Sequence, residues 1–520
     1  MNKYLRLTVP ALLAASQLAQ AEDVWITTDT DGFSAIQRHF PEMVEQATAR
    51  TFTANGVSAF KVSEDQIPAI SAMMHRELNR CGGFIAHESQ ELAQSAALFG
   101  SMMASAAEVQ PPDYSIDNAE VVMAMQNEVK EPDIRSTIQS LANFTNRYYT
   151  TSGGLQGAQW IKNKWETLAG SRDDISVEFF NHSWQQPSVI MTIEGKTDPD
   201  EIVVLGGHQD SIAGSITGEN TRAPGADDDA SGIATLTSVI TAMTETGYKP
   251  DKTVMLMAYA AEEVGLRGSQ KIAQSFSNQG KNVIGVLQLD MTNYKGSSGD
   301  IYLMQDYTNS SQNQFLADLA STYQPSVTVG YSECGYGCSD HASWHNQGYV
   351  ASFPFESTFN GHNPHIHTAQ DTLDKSGNNA DHALNFGKLA AAYVAELAKG
   401  DFTDDPGPDP DPDPDPGDET IENFEGNVSR GAEDQLGPFK VAEGTDFSAV
   451  MTGTNDADLY VRVGAAPTTT YYDCRPYLNG SSETCELKVP TGEDEVYVMV
   501  RGYSWSSSSY ELEVTYTQIQ

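Results

Sequence analysis

The stretch VLGGHQDSIAGSITGENTRAPGADDDASG, residues 204–232, constrains this chain more than any other. An apolar run (Ile202, Val203, Val204, Leu205) ends at Gly206-Gly207 and delivers His208 and Asp210. It then crosses a polar loop and reaches Asp227, Asp228 and Asp229 just before a helical pattern. That is a strand, a loop and a helix start with an imidazole and several carboxylates at their junction. In open α/β sheets ligands bind outside the carboxyl ends of the strands, which makes this junction a place for a metal. A histidine beside an acidic turn is the plainer reading of these residues alone, and the segments downstream decide between the two.

After Asp229, ASGIATLTSVITAMTETG reads as a helix whose Ala230, Ser231, Gly232 and Ala234 permit close packing on a sheet and which Gly247 ends. Val254 to Ala261 (VMLMAYAA) is a continuous apolar run, as expected of a strand buried on both faces, and it ends in Glu262-Glu263. A helical pattern over Ser269 to Phe276 leads to a second such strand, Val283 to Leu289, which ends in Asp290. Upstream, Leu155 to Leu168 is an amphipathic helix and Val189 to Ile193 a strand. Three buried strands thus finish in His208, Glu262-Glu263 and Asp290. In a parallel sheet these ends converge at one edge. Adjacent carboxylates there are hard to explain as packing, because an unpaired buried charge is costly.

A pair of divalent ions accounts for the residue types. Zinc takes imidazole nitrogen and carboxylate oxygen and leaves a position open in catalytic sites. Two ions about 3.5 to 4 Å apart need a bridging carboxylate, for which Asp227, Asp228 and Asp229 are candidates. Asp210 is placed to accept the other ring N–H of His208. A second histidine should complete the set, and five of the eleven histidines fall between His341 and His367.

The remaining chain divides by composition. Residues 1–21, with Lys3 and Arg6 before an apolar stretch and Ala19-Gln20-Ala21 after it, read as a cleavable secretory signal. No later run is long and apolar enough to span a bilayer. Residues 22–110 carry helical patterns (Ile67 to Leu78, Glu88 to Met103) and no ligand-like cluster. They read as a prosegment ending near Val109-Gln110-Pro111-Pro112, with a permanent N-terminal domain as the alternative. Residues 111–402 form the α/β domain. Residues 403–419, rich in alternating Asp and Pro, are an extended spacer. Residues 420–520, with Leu459 to Val463, Glu495 to Val500 and Tyr510 to Tyr516, alternate as the strands of a small β-sandwich. A net charge of −41 excludes nucleic acid and anionic membrane surfaces as natural partners. Five cysteines in an exported chain imply disulfides with one left over, and Cys81 fits a discarded piece.

GGHQDS, APGADDDASG, AYAAEEVGLRGSQ, LQLDMTNYKG, CGYGCSDHASWH, PFES and IHTAQDTL, in this order between Ile134 and Leu397, resemble the secreted bacterial leucyl aminopeptidases of the Vibrio (Aeromonas) type, co-catalytic di-zinc exopeptidases. The resemblance implies a mixed, largely parallel sheet flanked by helices. It implies one zinc on His208 and Asp290, the other on Glu263 and His367, with Asp228 bridging and Glu262 as general base to a water acidified by both ions. It further implies a cis peptide after Asp228 and a Cys334–Cys338 disulfide carrying Tyr336 to the pocket. Met291, Met304, Tyr336, Phe355, Phe359 and Ile366 would receive the first side chain of a peptide with a free N-terminus, large apolar residues preferred. Phe353, His362 and His365 depart from the family pattern, and His341 and His345 read as structural residues or as supports behind the ligands rather than as ligands. The tail resembles the bacterial pre-peptidase C-terminal domain through DADLYV and YELEV, with Cys474 and Cys485 clipping a loop and Asp456 and Asp458 as solvated turn carboxylates or calcium ligands. The whole reads as a secreted, monomeric aminopeptidase made as a zymogen, the prosegment serving as intramolecular inhibitor or folding aid. A carboxypeptidase or dipeptidase on the same metal frame and a non-catalytic binding protein or receptor ectodomain are the competing readings.

Overall fold

The computed structural model describes residues 23–43, 51–402 and 419–518, except 79, 81, 88, 100–111, 113, 215 and 491–493. The expected signal, Cys81, most of the prosegment boundary and the spacer up to residue 418 lie outside the described residues. Among the described residues no helix is long and apolar enough to cross a membrane. The chain forms two compact units, Met1–Pro406 and Gly407–Gln520.

The first unit opens with β1 (Asp23–Asp29), α1 (Thr30–His39), β2 (Phe52–Ala54), β3 (Val57–Ser63), α2 (Ile67–Leu78), β4 (Ile85–His87) and α3 (Gln90–Phe99). Its strands form an antiparallel sheet in the order β2-β3-β1-β4. On α2, Ile67, Ile70, Met73 and Met74 share one face and are buried in a core they form jointly with Tyr148, Tyr149, Ile212, Ala261 and Val264 of the following α/β layer. The N-terminal layer is therefore seated on the α/β layer through apolar surface. β4 adds a hydrogen bond from Ala86 N to Gly265 O (3.0 Å), and Arg267 Nη1 reaches Glu64 Oε1 at 2.8 Å.

The α/β layer runs α4 (Ala119–Glu128), α5 (Glu131–Ala142), α6 (Ser152–Ala169), β5 (Ile175–Phe180), β6 (Ser188–Ile193), β7 (Asp198–His208), α7 (Ala230–Glu245), β8 (Lys252–Tyr259), α8 (Arg267–Asn278), β9 (Asn282–Gln288), β10 (Ile301–Met304), α9 (Ser310–Tyr323), β11 (Val329–Ser332), α10 (His341–His345), β12 (Ala351–Ser352), β13 (Pro354–Phe355) and α11 (Asp381–Ala398). The six-stranded sheet has the order β12-β9-β7-β8-β6-β5. Its β12-β9-β7-β8 part is parallel, while β6 pairs antiparallel with β8 and β5 with β6, so the sheet is mixed and largely parallel as expected. The continuous apolar runs of β7, β8 and β9 are the central strands, buried on both faces. Gly207 and Gly232 are required by proximity: a Cβ on either would meet Leu289 O, at 2.7 and 2.2 Å. That shared contact brings the ends of β7 and β9 and the start of α7 together.

The apolar run after Lys252 extends beyond its strand. β8 stops at Tyr259 and Ala261 has φ +57°, a turn that an all-apolar pattern does not announce. The last helix ties the layer to its own beginning. Buried Glu396 on α11 accepts the backbone N–H groups of Asp117 and Asn118 at 3.0 Å, and Asn118 Nδ2 donates to Ala395 O (3.1 Å) and Gly400 O (3.0 Å).

The second unit carries two antiparallel sheets. β14 (Glu419–Val428), β16 (Asp446–Gly453), β18 (Glu483–Lys488) and β20 (Ser508–Thr517) form one in the order β14-β20-β16-β18; β15 (Glu433–Lys440), β17 (Ala457–Val463) and β19 (Glu495–Gly502) form the other in the order β15-β19-β17. Valines 441, 461, 498, 500 and 514 with Phe447 fill the core between them. Cys474 and Cys485 are disulfide-bonded. Asp458 corrects the expectation of solvated turn carboxylates, whereas Asp456 stays in the turn before β17. Asp458 lies inside β17, is buried and pairs with Arg475 Nη2 at 2.6 Å, and half-buried Asp456 accepts Gly480 N at 2.9 Å.

Candidate metal centre

The strand ends meet as the parallel sheet requires. His208 closes β7, Glu262 and Glu263 follow the turn after β8, Asp290 lies two residues beyond β9, and His367 comes from the loop before α11. All five side chains are buried. His208 Nε2 stands 2.9 Å from Asp228 Oδ1, 3.6 Å from Asp290 Oδ1 and 4.0 Å from Glu262 Oε2. His367 Nε2 stands 3.1 Å from Asp228 Oδ2 and 2.7 Å from Glu263 Oε2. Asp228 thus directs one oxygen to each histidine. The Asp228-Asp229 peptide is cis, as the resemblance implied.

The three consecutive aspartates have separate partners. Asp227 accepts Asn293 N (3.1 Å) and Asn363 Nδ2 (3.0 Å). Asp229 caps α7 through Gly232 N (2.7 Å) and also accepts His208 N (3.0 Å) and Met291 N (3.2 Å). Although Asp229 lies close enough to His208 and Asp290 to form a ligand cluster with them, those three backbone donors hold it in a bracing role. Asp210 accepts Glu262 N (3.0 Å) and Glu263 N (3.3 Å), and its Oδ1 is 3.5 Å from His208 Nδ1.

Sequence reasoning gave no role to the outer residues that hold this frame, although Ser339, Glu356 and Asp371 fall within its motifs, since their partners lie far along the chain. Asp371 accepts the N–H groups of Asp227 and Asp228, both at 3.1 Å, and Glu356 accepts those of Tyr294 (2.7 Å) and Asn363 (3.0 Å). Ser339 Oγ donates to Asp290 Oδ2 at 2.7 Å. Arg147, fully buried, donates to the carbonyls of Gln209 (2.8 Å), Leu141 (3.1 Å), Pro224 (2.6 Å) and Gly225 (2.8 Å), tying the start and the end of the loop between β7 and α7 to each other and to the end of α5.

The electrostatics call for cations. Burial pushes Glu262 well above the usual carboxylate range, Glu263 up to about 7 and Asp340 up to about 7. Burial disfavours charge on His208 and His367 too, yet the carboxylates around them, Asp290 and Glu263 foremost, raise both well above an ordinary imidazole. Asp228 stays low in spite of burial because both histidines hydrogen-bond to it. Buried carboxylate oxygens at the centre have no hydrogen-bond partner: Glu262 Oε2, Glu263 Oε1 and Asp290 Oδ1. Polar atoms are rarely left so without a ligand, and oxygen and imidazole donors converging in this way fit zinc.

Beside the centre, Met291, Met304, Tyr336, Phe355 and Ile366 form one apolar cluster with Phe353, and Phe359 packs against it, so all six expected pocket residues come together. Cys334 and Cys338 are disulfide-bonded at its edge. His362, one of the departures from the family pattern, lines this pocket, and its ring lies 5.5 Å from that of Phe359. His341 lies 4.8 Å from the Phe353 ring and His345 5.7 Å from the Tyr307 ring, and neither belongs to the metal cluster.

Residues 188–394 match peptidase family M28, and residues 438–502 match the bacterial pre-peptidase C-terminal domain. A probable leucine aminopeptidase of Arthroderma otae is 35% identical over 283 residues, 53% of this chain and 76% of that protein. Leucine aminopeptidase 1 of Fusarium vanettenii is 34% identical over 318 residues, 59% of this chain and 79% of its own length. The crystal structure of the LapA aminopeptidase of Legionella pneumophila superposes with a TM-score of 0.61 at 30% identity, covering 73% of this chain and 99% of LapA. With the clustered strand ends, these likenesses place the chain in peptidase family M28, as a metallo-aminopeptidase related to the leucine aminopeptidases, with a bacterial pre-peptidase C-terminal domain behind it.

Proposed function

We propose that this enzyme removes N-terminal residues, large apolar ones preferentially, from peptides outside the cell, using two zinc ions and Glu262 as general base. One observation carries the reading: consecutive glutamates face the same centre in different ways. Glu263 lies 2.7 Å from His367, whereas Glu262 leaves Oε2 unpartnered 4.0 Å from His208. His208 and Asp290 would hold one ion, Glu263 and His367 the other, with Asp228 shared. The ions, when bound, supply Lewis acidity for the scissile carbonyl and for the attacking water. Glu262 takes the proton of that water and returns it to the leaving amine, a task suited to a carboxylate whose burial raises its proton affinity. Asp210 holds Glu262 and Glu263 by their backbones while facing the ring of His208. The apolar cluster of Met291, Met304, Tyr336, Phe355, Phe359 and Ile366 receives the first side chain.

Residues 22–110 act in this reading as an inhibitory prosegment and 403–419 as a spacer to the sandwich of 420–520. The enzyme acts as a monomer after export. The deciding experiment incubates a leucine-initiated peptide and its N-acetylated twin with processed protein, with and without chelator, and follows products by mass spectrometry. Stepwise loss from the free amino end alone, abolished by chelator, supports the proposal; loss from the other end of the blocked peptide makes the enzyme a carboxypeptidase, and no cleavage by zinc-loaded protein makes it a binding protein.

A further inference from the structure

His75 sits in the last turn of α2, and its ring centroid lies 4.6 Å from that of His367 with the planes at 46°. Its Nδ1 is buried and has no hydrogen-bond partner. An imidazole nitrogen left so beside a metal centre is costly unless something binds it. Two imidazoles sharing a tetrahedral ion at about 2 Å have ring centroids about 5 Å apart, close to the separation seen here.

The position of His75 is imposed from both ends of its helix. The apolar face of α2 rests on Ala261 and Val264, the residues flanking Glu262-Glu263. Just past the helix, Arg80 grips Asp29 through two hydrogen bonds (2.7 and 2.9 Å) and lays its guanidinium 4.9 Å from the centre of the Tyr336 ring, over the apolar pocket. Ring and guanidinium therefore cover metal centre and pocket respectively.

We propose that His75 is a metal ligand in the uncleaved chain: at the ion of Glu263 and His367 its Nδ1 takes the position that water or substrate needs. This rests on the zinc assignment above. The N-terminal layer then inhibits by coordination as well as by bulk, and its removal withdraws a ligand.

The test uses the uncleaved full-length chain and its His75→Phe and His75→Gln variants, loaded with cobalt(II) for visible spectroscopy and with zinc for release to a chromogenic chelator. Phe keeps the bulk and Gln the polarity, so agreement between them isolates the lost nitrogen. Both variants should take up two ions, show an altered cobalt spectrum and release zinc faster by no less than the roughly tenfold that loss of a supporting contact to a ligand costs. Two ions bound with unchanged spectrum and release would reduce His75 to a plug and overturn the proposal. Wild-type chain taking up no ions would overturn the zinc assignment together with it.

Discussion

Asp210 and Glu262 are joined by a hydrogen bond from the Glu262 backbone to Asp210 Oδ1 at 3.0 Å, and the same oxygen stands 3.5 Å from His208 Nδ1. One carboxylate therefore sets the orientation of an imidazole and of the turn that carries the two glutamates. Asp210→Asn keeps the size but weakens an acceptor serving both. Zinc affinity should fall by about 10- to 100-fold, the usual cost of losing such support, with kcat falling as well. Competition titration with a chelator checks the first and steady-state kinetics on a leucyl substrate the second.

Glu262→Gln separates proton transfer from metal binding. The variant should retain two zinc ions by elemental analysis yet lose at least ~10²-fold in kcat, the lower end of what a positioned general base contributes. Near-normal turnover in the variant would transfer the base role to another group.

Arg147→Met removes the donor that holds four backbone carbonyls, three in the loop between β7 and α7 and one at the end of α5. Those carbonyls stay buried, so unfolding free energy should drop by about 3 kcal/mol or more. Arg147→Lys should recover little of it, because an ammonium cannot reproduce the planar fork. Urea denaturation of metal-loaded protein distinguishes these outcomes from an unchanged midpoint.

His87 gives the N-terminal layer an acid weakness. Burial lowers its pKa to about 4, while Nε2 keeps a 2.8 Å hydrogen bond to Thr27 Oγ1. Between an unfolded value near 6.5 and a folded value near 4 the unfolded chain binds a proton that the folded one lacks. This contribution is therefore complete above about pH 6.5 and declines as pH falls toward 4, by up to about 3 kcal/mol. His87→Gln should flatten that decline, and hydrogen exchange in β1 and β4 at pH 7 and 4.5, compared between wild type and variant, measures it. Equal pH dependence in both would remove His87 as the cause.

The central strands were legible because burial on both faces writes itself as unbroken apolar sequence, and each such run led to a residue of the centre. What apolar patterning cannot give is the turn that follows. Ala260 and Ala261 extend the run past the strand, and only the backbone shows that the chain turns there. The three aspartates of 227–229 illustrate the same limit. Their spacing marks a helix start and a ligand source but does not say which of them faces the centre, and here the resemblance picked Asp228 where spacing left three candidates. Glu356 and Asp371 lie within the PFES and IHTAQDTL motifs and Arg147 outside any, yet none of the three could be given a role, because most of their partners lie in loops far along the chain. Asp458 was misjudged as a turn residue because its partner, Arg475, lies 17 residues away.

The grip of Glu396 on Asp117 and Asn118 has a consequence for how the protein can be trimmed. The two ends of the α/β layer are buttoned to each other by hydrogen bonds that involve no residue before 115 or after 401. A cut upstream of that button or downstream of it would leave these hydrogen bonds in place, so the closure of the α/β layer on itself does not depend on the segments that the proposed processing would remove.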